Sequence, residues 1–278
     1  MLSARSRDRP GSRGGADSTR PTWLGGLVGG AAERWAELQS GRGIPPEILA
    51  RAEHDPWHHD ATYFVPPEVP ADTPSRAAGL ALLHTPGSVL DVGCGGGDAA
   101  FALVERAIRV TGVDRQQDML DVFTATARSR GVAFRTVLGP WPDAAEQAGP
   151  ADVVVSHHVL HNVVDLPPFL LALTAAARRG VVVEMLGQHP MAWLDPLWER
   201  FHGLHRPPPA TTDDAVAVLG ELGIEPTVTW WERRSPPRQD PVWVTRRLCL
   251  PSDRVPEVDA ALDELVRPRV AATVAWHP

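Results

Sequence analysis

From residue 87 onward, short Val- and Leu-rich runs alternate with stretches whose apolar positions recur at helical spacing. The runs predict strands at 88–92, 109–113, 133–138, 151–156 and 180–184. The stretches between them predict helices over 97–107, 116–129, 142–147 and 166–178. Uninterrupted apolar strands separated by helices are expected in a parallel sheet that is covered on both faces. Right-handed crossovers make such a sheet doubly wound.

After 184 the rhythm changes. Residues 185–212 form too long a connection for an ordinary loop, and they hold His189, Trp193, Trp198, Phe201, His202 and His205. Long ordered connections of this kind serve as lids or binding elements. A helix is expected at 212–222, with Thr212 as its N-cap and Gly223 as its stop. Strands at 226–234 and 241–250, with arginine pairs at their ends, read as an edge hairpin, and a final helix is expected at 255–267.

The first 84 residues follow no such alternation. Residues 1–20, rich in Arg, Ser and Gly, read as a disordered tail. Residues 21–84 read as a helical and aromatic cap. Trp23, Leu24, Leu27 and Val28 lie at helical spacing, "IPPEILARAEH" carries proline at a helix start, and the proline-broken "DPWHHDATYFVPPEVPADTP" holds Trp57, Tyr63 and Phe64. The expected organisation is therefore tail, cap, a core over 85–252 with the insertion at 185–212, and a C-terminal helix and tail over 253–278.

Composition narrows the class. The 278 residues are 43% hydrophobic, enough for a sizeable core, and no apolar run approaches a membrane span. The N-terminus has no apolar signal region. Cys94 and Cys249 fit no disulfide or metal pattern, so a cytoplasmic setting is expected. Lysine is absent, every fixed positive charge is arginine, and Ala, Gly, Pro and Val abound, as in the product of a GC-rich bacterial gene. Net charge is −7 although the first 20 residues are basic, so the body is strongly acidic and a phosphate-tracking nucleic-acid surface is disfavoured.

The candidate chemistry begins at "SVLDVGCGGGDAAFAL", residues 88–103. Strand, glycines and helix in that order place backbone N–H groups at the carboxyl edge of the first strand, where doubly wound sheets bind ligands. The dinucleotide fingerprint fails when counted from Gly93, because its third position is Asp98, and passes only weakly as Gly95, Gly97 and Ala100. Asp91, Gly93, Gly95 and Gly97 instead satisfy D-x-G-x-G-x-G. A carboxylate at Asp91 repels a pyrophosphate and suits the ammonium end of an amino-acid-like cofactor. Asp114 ends the second strand, where a carboxylate reaches the ribose hydroxyls of a nucleoside.

"VLDVGCGGG" followed by "VTGVDRQQDML" resembles the first two motifs of the class I S-adenosylmethionine-dependent methyltransferases. "ADVVVSHHVLHNVVDLPPFLLAL" and "RRGVVVEM" resemble that family's fourth strand with its helix and its fifth strand, and the closing helix and two strands resemble its antiparallel finish. The resemblance spans about 85–250. It implies a doubly wound, mostly parallel seven-stranded sheet (Rossmann-like, the last strand antiparallel) with an N-terminal helical extension, and S-adenosylmethionine as cofactor.

It also implies roles for residues. Gly93, Cys94 and Gly95 let the backbone approach the methionine part, and Asp91 orients its amino group. Asp114 takes the ribose hydroxyls, with Arg115 and Met119 beside the adenine. Gly139, Pro140 and Trp141 close over the adenine. Pro140 stands where the family often has an acidic residue, so contact with the adenine amino group falls to backbone or to Asp143. Trp141 either packs beside the adenine or only wedges its loop.

The acceptor is expected to be a small molecule methylated on oxygen or nitrogen by in-line transfer. His157, His158 and His161 at the end of the fourth strand are candidate general bases, His157 also lining the cofactor, while His161 and Asn162 are alternatively helix caps. Their H-H-x-x-H spacing has no carboxylate or cysteine companion in register, so no metal is expected. Trp57, His58, His59, His189, Trp193 and Trp198 are candidate walls of the acceptor pocket. The alternatives are a non-catalytic methyltransferase-like binding protein and an NAD(P)-dependent oxidoreductase. A nucleic-acid methyltransferase is disfavoured by the acidic body.

Overall fold

A computed structural model describes residues 30–58, 60–233, 238–267 and 269–278. The tail 1–20, the first residues of the expected cap and His59 lie outside the described residues. Seven strands form one sheet: β1 (Gly87–Val92), β2 (Ala107–Asp114), β3 (Phe134–Leu138), β4 (Ala151–His157), β5 (Ala177–Leu186), β6 (Thr227–Glu232) and β7 (Val270–Trp276). Their order is β3-β2-β1-β4-β5-β7-β6, with β1 to β5 parallel and β7 antiparallel to both of its neighbours. The chain winds one way from β1 to β3 and the other way from β4 to β5. The carboxyl ends of β1 and β4 thus flank the topological switch point, where a crevice opens.

Eleven helices accompany the sheet among the described residues: α1 (Gly30–Ser40), α2 (Pro46–Leu49), α3 (Pro74–Leu82), α4 (Asp98–Phe101), α5 (Gln117–Ser129), α6 (Ala145–Ala148), α7 (Leu166–Ala176), α8 (Asp195–His202), α9 (Thr212–Glu221), α10 (Pro241–Arg247) and α11 (Val255–Leu262). The central strands are unbroken apolar runs because both faces are covered. Val89, Val153 and Val155 pack under Phe101, Leu103 and Phe123 on one side. Leu90, Val154 and Val183 pack under Trp35, Leu166, Leu170 and Leu219 on the other. None of these helices is long and apolar enough to cross a membrane.

The N-terminal segment is fastened to this core. The first-turn N–H groups of Ala31 and Ala32, which have no partner within α1, donate to the Glu221 carboxylate at 2.8 and 3.2 Å. Trp35 is fully buried, and its indole N–H donates to the Val163 carbonyl at 2.7 Å.

A third apolar cluster stands apart from the sheet. It joins Ile48 of α2, Trp193, Leu197 and Trp198 around α8, Val244 and Leu248 of α10, and Val258 of α11. The cap is therefore composite, drawn from the N-terminal segment, the insertion after β5 and the segment after β6.

Two expectations are corrected here. The stretch 241–250 is not a strand but α10, and the seventh strand is 270–276. Asp240 caps α10 by accepting from the Val242 N–H at 3.0 Å, and Pro241 occupies its first turn. Val242 is 59% exposed while Val244 is fully buried. A strand would put those two on one face; a helix separates them. The segment 253–278 is accordingly no appendage, since it carries β7 between β5 and β6. Smaller differences are that helix 97–107 is only Asp98–Phe101, helix 255–267 ends at Leu262, and the cap of α9 is Thr211 rather than Thr212.

Trp35 joins the N-terminal segment to both α7 and the loop after β4. Replacing it with Ala is expected to lower the unfolding free energy by roughly 3–5 kcal/mol, read from urea unfolding. A loss below about 1 kcal/mol would show that α1 is not part of the cooperative core.

Candidate functional site

The loop after β1 is shaped by its glycines. Gly93, Gly95 and Gly97 take φ of +69°, +50° and +95°, in the left-handed region that favours glycine. Gly96 is needed for a different reason. A Cβ there would lie 1.9 Å from the Phe64 carbonyl oxygen, so only glycine admits the turn at 61–64 that lies against the loop. The loop is pinned to β2, since the Gly95 N–H donates to Asp114 Oδ2 at 2.9 Å. Asp114 Oδ1 accepts from the Gln116 N–H at 3.0 Å. Each Asp114 oxygen has spent one lone pair on backbone, and each retains capacity for another donor.

Asp91 lies in β1 beneath the loop and is 1% exposed. Its carboxylate accepts from the Ala100 N–H at 3.1 Å. Burial pushes its pKa up to about 7, against that hydrogen bond, and the Asp98 and Asp114 carboxylates add to the rise. Among the described residues no cation stands beside it. Cys94 is buried, its Sγ 3.5 Å from the Gly95 carbonyl, and burial pushes the thiol pKa up.

The expected adenine residues lie along the same edge. Met119 is buried at the start of α5, and Arg115 and Pro140 are exposed. The Gly139 N–H donates to the Asp114 carbonyl at 2.9 Å, tying the exit of β3 to the end of β2. Trp141 wedges its loop onto α7, with its indole N–H donating to the Phe169 carbonyl at 3.2 Å.

The three histidines after β4 part company. His157 is half-buried, its Nε2 enclosed without a partner, and burial lowers its pKa to about 4. His158 adopts φ +61°, unusual for a bulky residue, and its Nε2 lies 3.0 Å from Glu184 Oε1. Glu184 lies within the buried part of β5. Burial alone would raise its pKa, but the hydrogen bonds from His158 and Ser75 and the adjacent imidazoles outweigh that and hold it at about 2. His161 is buried, and its Nε2 donates to the Leu186 carbonyl at 3.1 Å. That bond fixes the tautomer and leaves Nδ1 bare and enclosed. Burial lowers the His161 pKa to about 3. Neither His161 nor Asn162 caps α7, which starts at Leu166 after Asp165.

Beside them opens a cavity of about 210 Å³. His161 and Asn162 line it from the loop after β4, and His189, Met191, Trp198 and Arg206 from the insertion after β5. The N-terminal segment contributes Gln39, Arg42 and Trp57, and α10 contributes Arg247. Of the residues expected to wall an acceptor pocket, Trp57, His189 and Trp198 meet there. Trp193 does not; it is buried in the cap cluster, with Arg267 over its ring at 5.3 Å. His58 is exposed and does not line the cavity; its backbone carbonyl accepts from Arg246 at 3.0 Å. His202 bonds the Leu248 carbonyl at 2.7 Å and His205 is exposed.

Sequence reasoning missed Glu184 and the three arginines. Glu184 carried a usable signal, an acidic residue closing an apolar strand as Asp91 and Asp114 do. Arg247 was hidden by reading α10 as a strand. Arg42 carries no local signal, because its partners Pro207 and Asp195 are distant in sequence, whereas Arg206 sits beside Asp195 and Trp198 of its own segment.

The Glu184 carboxyl is held below its unfolded value, so its contribution is present at neutral pH and is lost as pH falls below about 4 toward about 2. Glu184→Gln is expected to lower the unfolding free energy at pH 7 by on the order of 2 kcal/mol, with the gap from wild type closing as pH falls. Equal urea midpoints at pH 7 would contradict this.

The described geometry can be set beside known proteins. A family model, "Methyltransferase domain", matches residues 89–180. The malonyl-[acyl-carrier protein] O-methyltransferase of Serratia marcescens is 33% identical over 139 residues, covering 48% of this chain and 51% of that protein. The ubiquinone biosynthesis O-methyltransferase of Bordetella parapertussis is 29% identical over 150 residues, covering 50% of this chain and 62% of that protein. The matches thus span about half to three fifths of these relatives' lengths. Among solved structures, precorrin 8w decarboxylase of Methanobacterium thermoautotrophicum superposes with a TM-score of 0.48 at 16% identity, covering 81% of this chain and 98% of that one. Over residues 89–180, from the first strand through its glycine turn to the start of β5, the chain is similar to methyltransferase domains.

Proposed function

We propose that the protein transfers the methyl group of S-adenosylmethionine to an oxygen of a small-molecule acceptor. The observation that carries this reading is the pair of carboxylates flanking the glycine turn at the switch point. Asp91 is buried without a cation, and Asp114 retains acceptor capacity on both oxygens. An ammonium and a ribose diol are the complements of those two groups. The enclosed, unpartnered Nε2 of His157 faces the same end of β4 and supports a polar ligand there.

S-Adenosylmethionine, when bound, supplies a methyl group on a positively charged sulfur that leaves in an in-line displacement. The chain has to do little covalent chemistry itself. Asp91 holds the amino end, Asp114 the ribose, and Met119 with the Gly139 loop the base. The acceptor cavity, walled in part by Trp57 and Trp198, positions the nucleophile. Among the three candidate bases only His161 lines this cavity, and with a pKa of about 3 it is a weak one. The relatives named above as O-methyltransferases support oxygen as the acceptor atom. A cytoplasmic location and a nucleic-acid-free partnership follow from the same reading as expectations.

Calorimetric titration with S-adenosylhomocysteine tests it. Asp114→Ala is expected to weaken binding at least tenfold. Asp91 must be ionised to meet an ammonium, so wild-type affinity is expected to fall about tenfold from pH 7.5 to 6, with proton release on binding. Asp91→Asn should bind more weakly at pH 7.5 and lose this pH dependence. Unchanged affinity in Asp114→Ala would sink the site assignment.

A further inference from the structure

The acceptor cavity is built for an anion. Three arginines reach it from three separate segments: Arg42 from the loop after α1, Arg206 from the insertion and Arg247 from the end of α10. Two carboxylates answer them: Asp55, whose charge acts on Arg247, and Asp195, which stands beside both Arg42 and Arg206. It takes two hydrogen bonds from Arg42 at 2.7 and 2.9 Å, and Arg42 also donates to the Pro207 carbonyl. Arg42 is therefore spent. Arg247 donates one N–H to the Pro56 carbonyl at 2.7 Å and retains the rest.

Arg206 differs from both. Its side chain is only 9% exposed, yet it makes no hydrogen bond to any described residue, and the nearest carboxylate oxygen is 4.0 Å from its Nε. None of its nitrogens is fully enclosed, so the donors it leaves unused stay reachable from the cavity that Arg206 lines. It is also pre-placed, since its Cζ lies 4.9 Å from the centre of the Trp198 ring, as the Cζ of Arg247 lies 4.6 Å from that of Trp57. Each planar cation rests on an indole of the cavity wall, which limits its freedom to move.

We infer that the acceptor is an organic acid whose carboxylate is received by the fork of Arg206, with Arg247 as the second cation. This rests on the methyl-transfer reading and names the substrate class of the same site. Three guanidiniums thus face two carboxylates, a surplus of one positive charge, and the planar fork of Arg206 matches the two coplanar oxygens of a monoanionic carboxylate better than a phosphate dianion. The histidines agree. Arg42, Arg206 and Arg247 add to burial in lowering the His189 pKa to about 4, and His161 is lower still. The cavity thus holds neutral imidazoles and charged guanidiniums, an arrangement that receives an ionised group and does little to create one.

Matched acid and amide probes test this on the full chain saturated with S-adenosylhomocysteine. Benzoate is compared with benzamide, 4-hydroxybenzoate with 4-hydroxybenzamide, and succinate with succinamide, with phenyl phosphate as the competing anion; binding is read from tryptophan fluorescence. At least one acid is expected to bind ten times more tightly than its amide, and more tightly than phenyl phosphate. Arg206→Gln should abolish that preference and leave S-adenosylhomocysteine affinity unchanged, which also verifies folding. Arg206→Lys should restore part of it. No preference in any pair, a preference that survives Arg206→Gln, or tighter binding of phenyl phosphate overturns the inference. Failure of S-adenosylhomocysteine itself to bind wild type would instead overturn the methyl-donor reading.

Discussion

The hydrogen bond from the Gly95 N–H to the Asp114 carboxylate joins the loop after β1 to the end of β2, and the geometry of the proposed donor site depends on it. It requires a chain that leaves β1, turns through left-handed conformations and returns its amides toward the sheet edge. Only glycine at 93, 95 and 97 allows this without strain. It also sets the orientation of Asp114, whose two oxygens are each fixed by one backbone N–H and still open to another donor. The parallel register of β1 with β2 and with β4 then places Asp91, Asp114 and His157 along one crevice.

The acceptor side obeys a different constraint. No single segment of the chain builds it. The loop after β4, the insertion after β5, the N-terminal segment and α10 each contribute a wall, and the apolar cluster of Ile48, Trp198, Val244 and Val258 holds three of them together. Burial within that cap sets the chemistry of the cavity. It keeps His161 and His189 neutral while the arginines, far stronger bases, stay charged even where burial lowers Arg247 to about 10.

This division explains what was legible in the sequence. The proposed donor site is local: Asp91, the glycines and Asp114 lie within 24 residues, and their spacing reports strand, turn, helix and strand directly. The five parallel strands were legible for the same reason, since burial on both faces demands unbroken apolar runs. The antiparallel finish was read correctly as a topology and assigned to the wrong residues. "PVWVTRRLCL" has the composition of a strand, and the Asp-Pro that starts a helix was overlooked before it. "VAATVAW" is rich in alanine, and its role follows from the space left beside β5, which no local pattern reports. The acceptor cavity was half legible. Aromatic and histidine content marked the right segments, but Arg42 finds its partners across some 160 residues of sequence.

The central claim is that a methyl donor seated at the β1–β4 switch point opens onto the arginine-lined cavity. A crystal structure with S-adenosylhomocysteine bound measures this most directly. The account predicts the ribose hydroxyls on Asp114, the amino group on Asp91, and the sulfur facing the cavity of His161 and Arg206. A nucleoside bound elsewhere, or a sulfur turned away from that cavity, would contradict it.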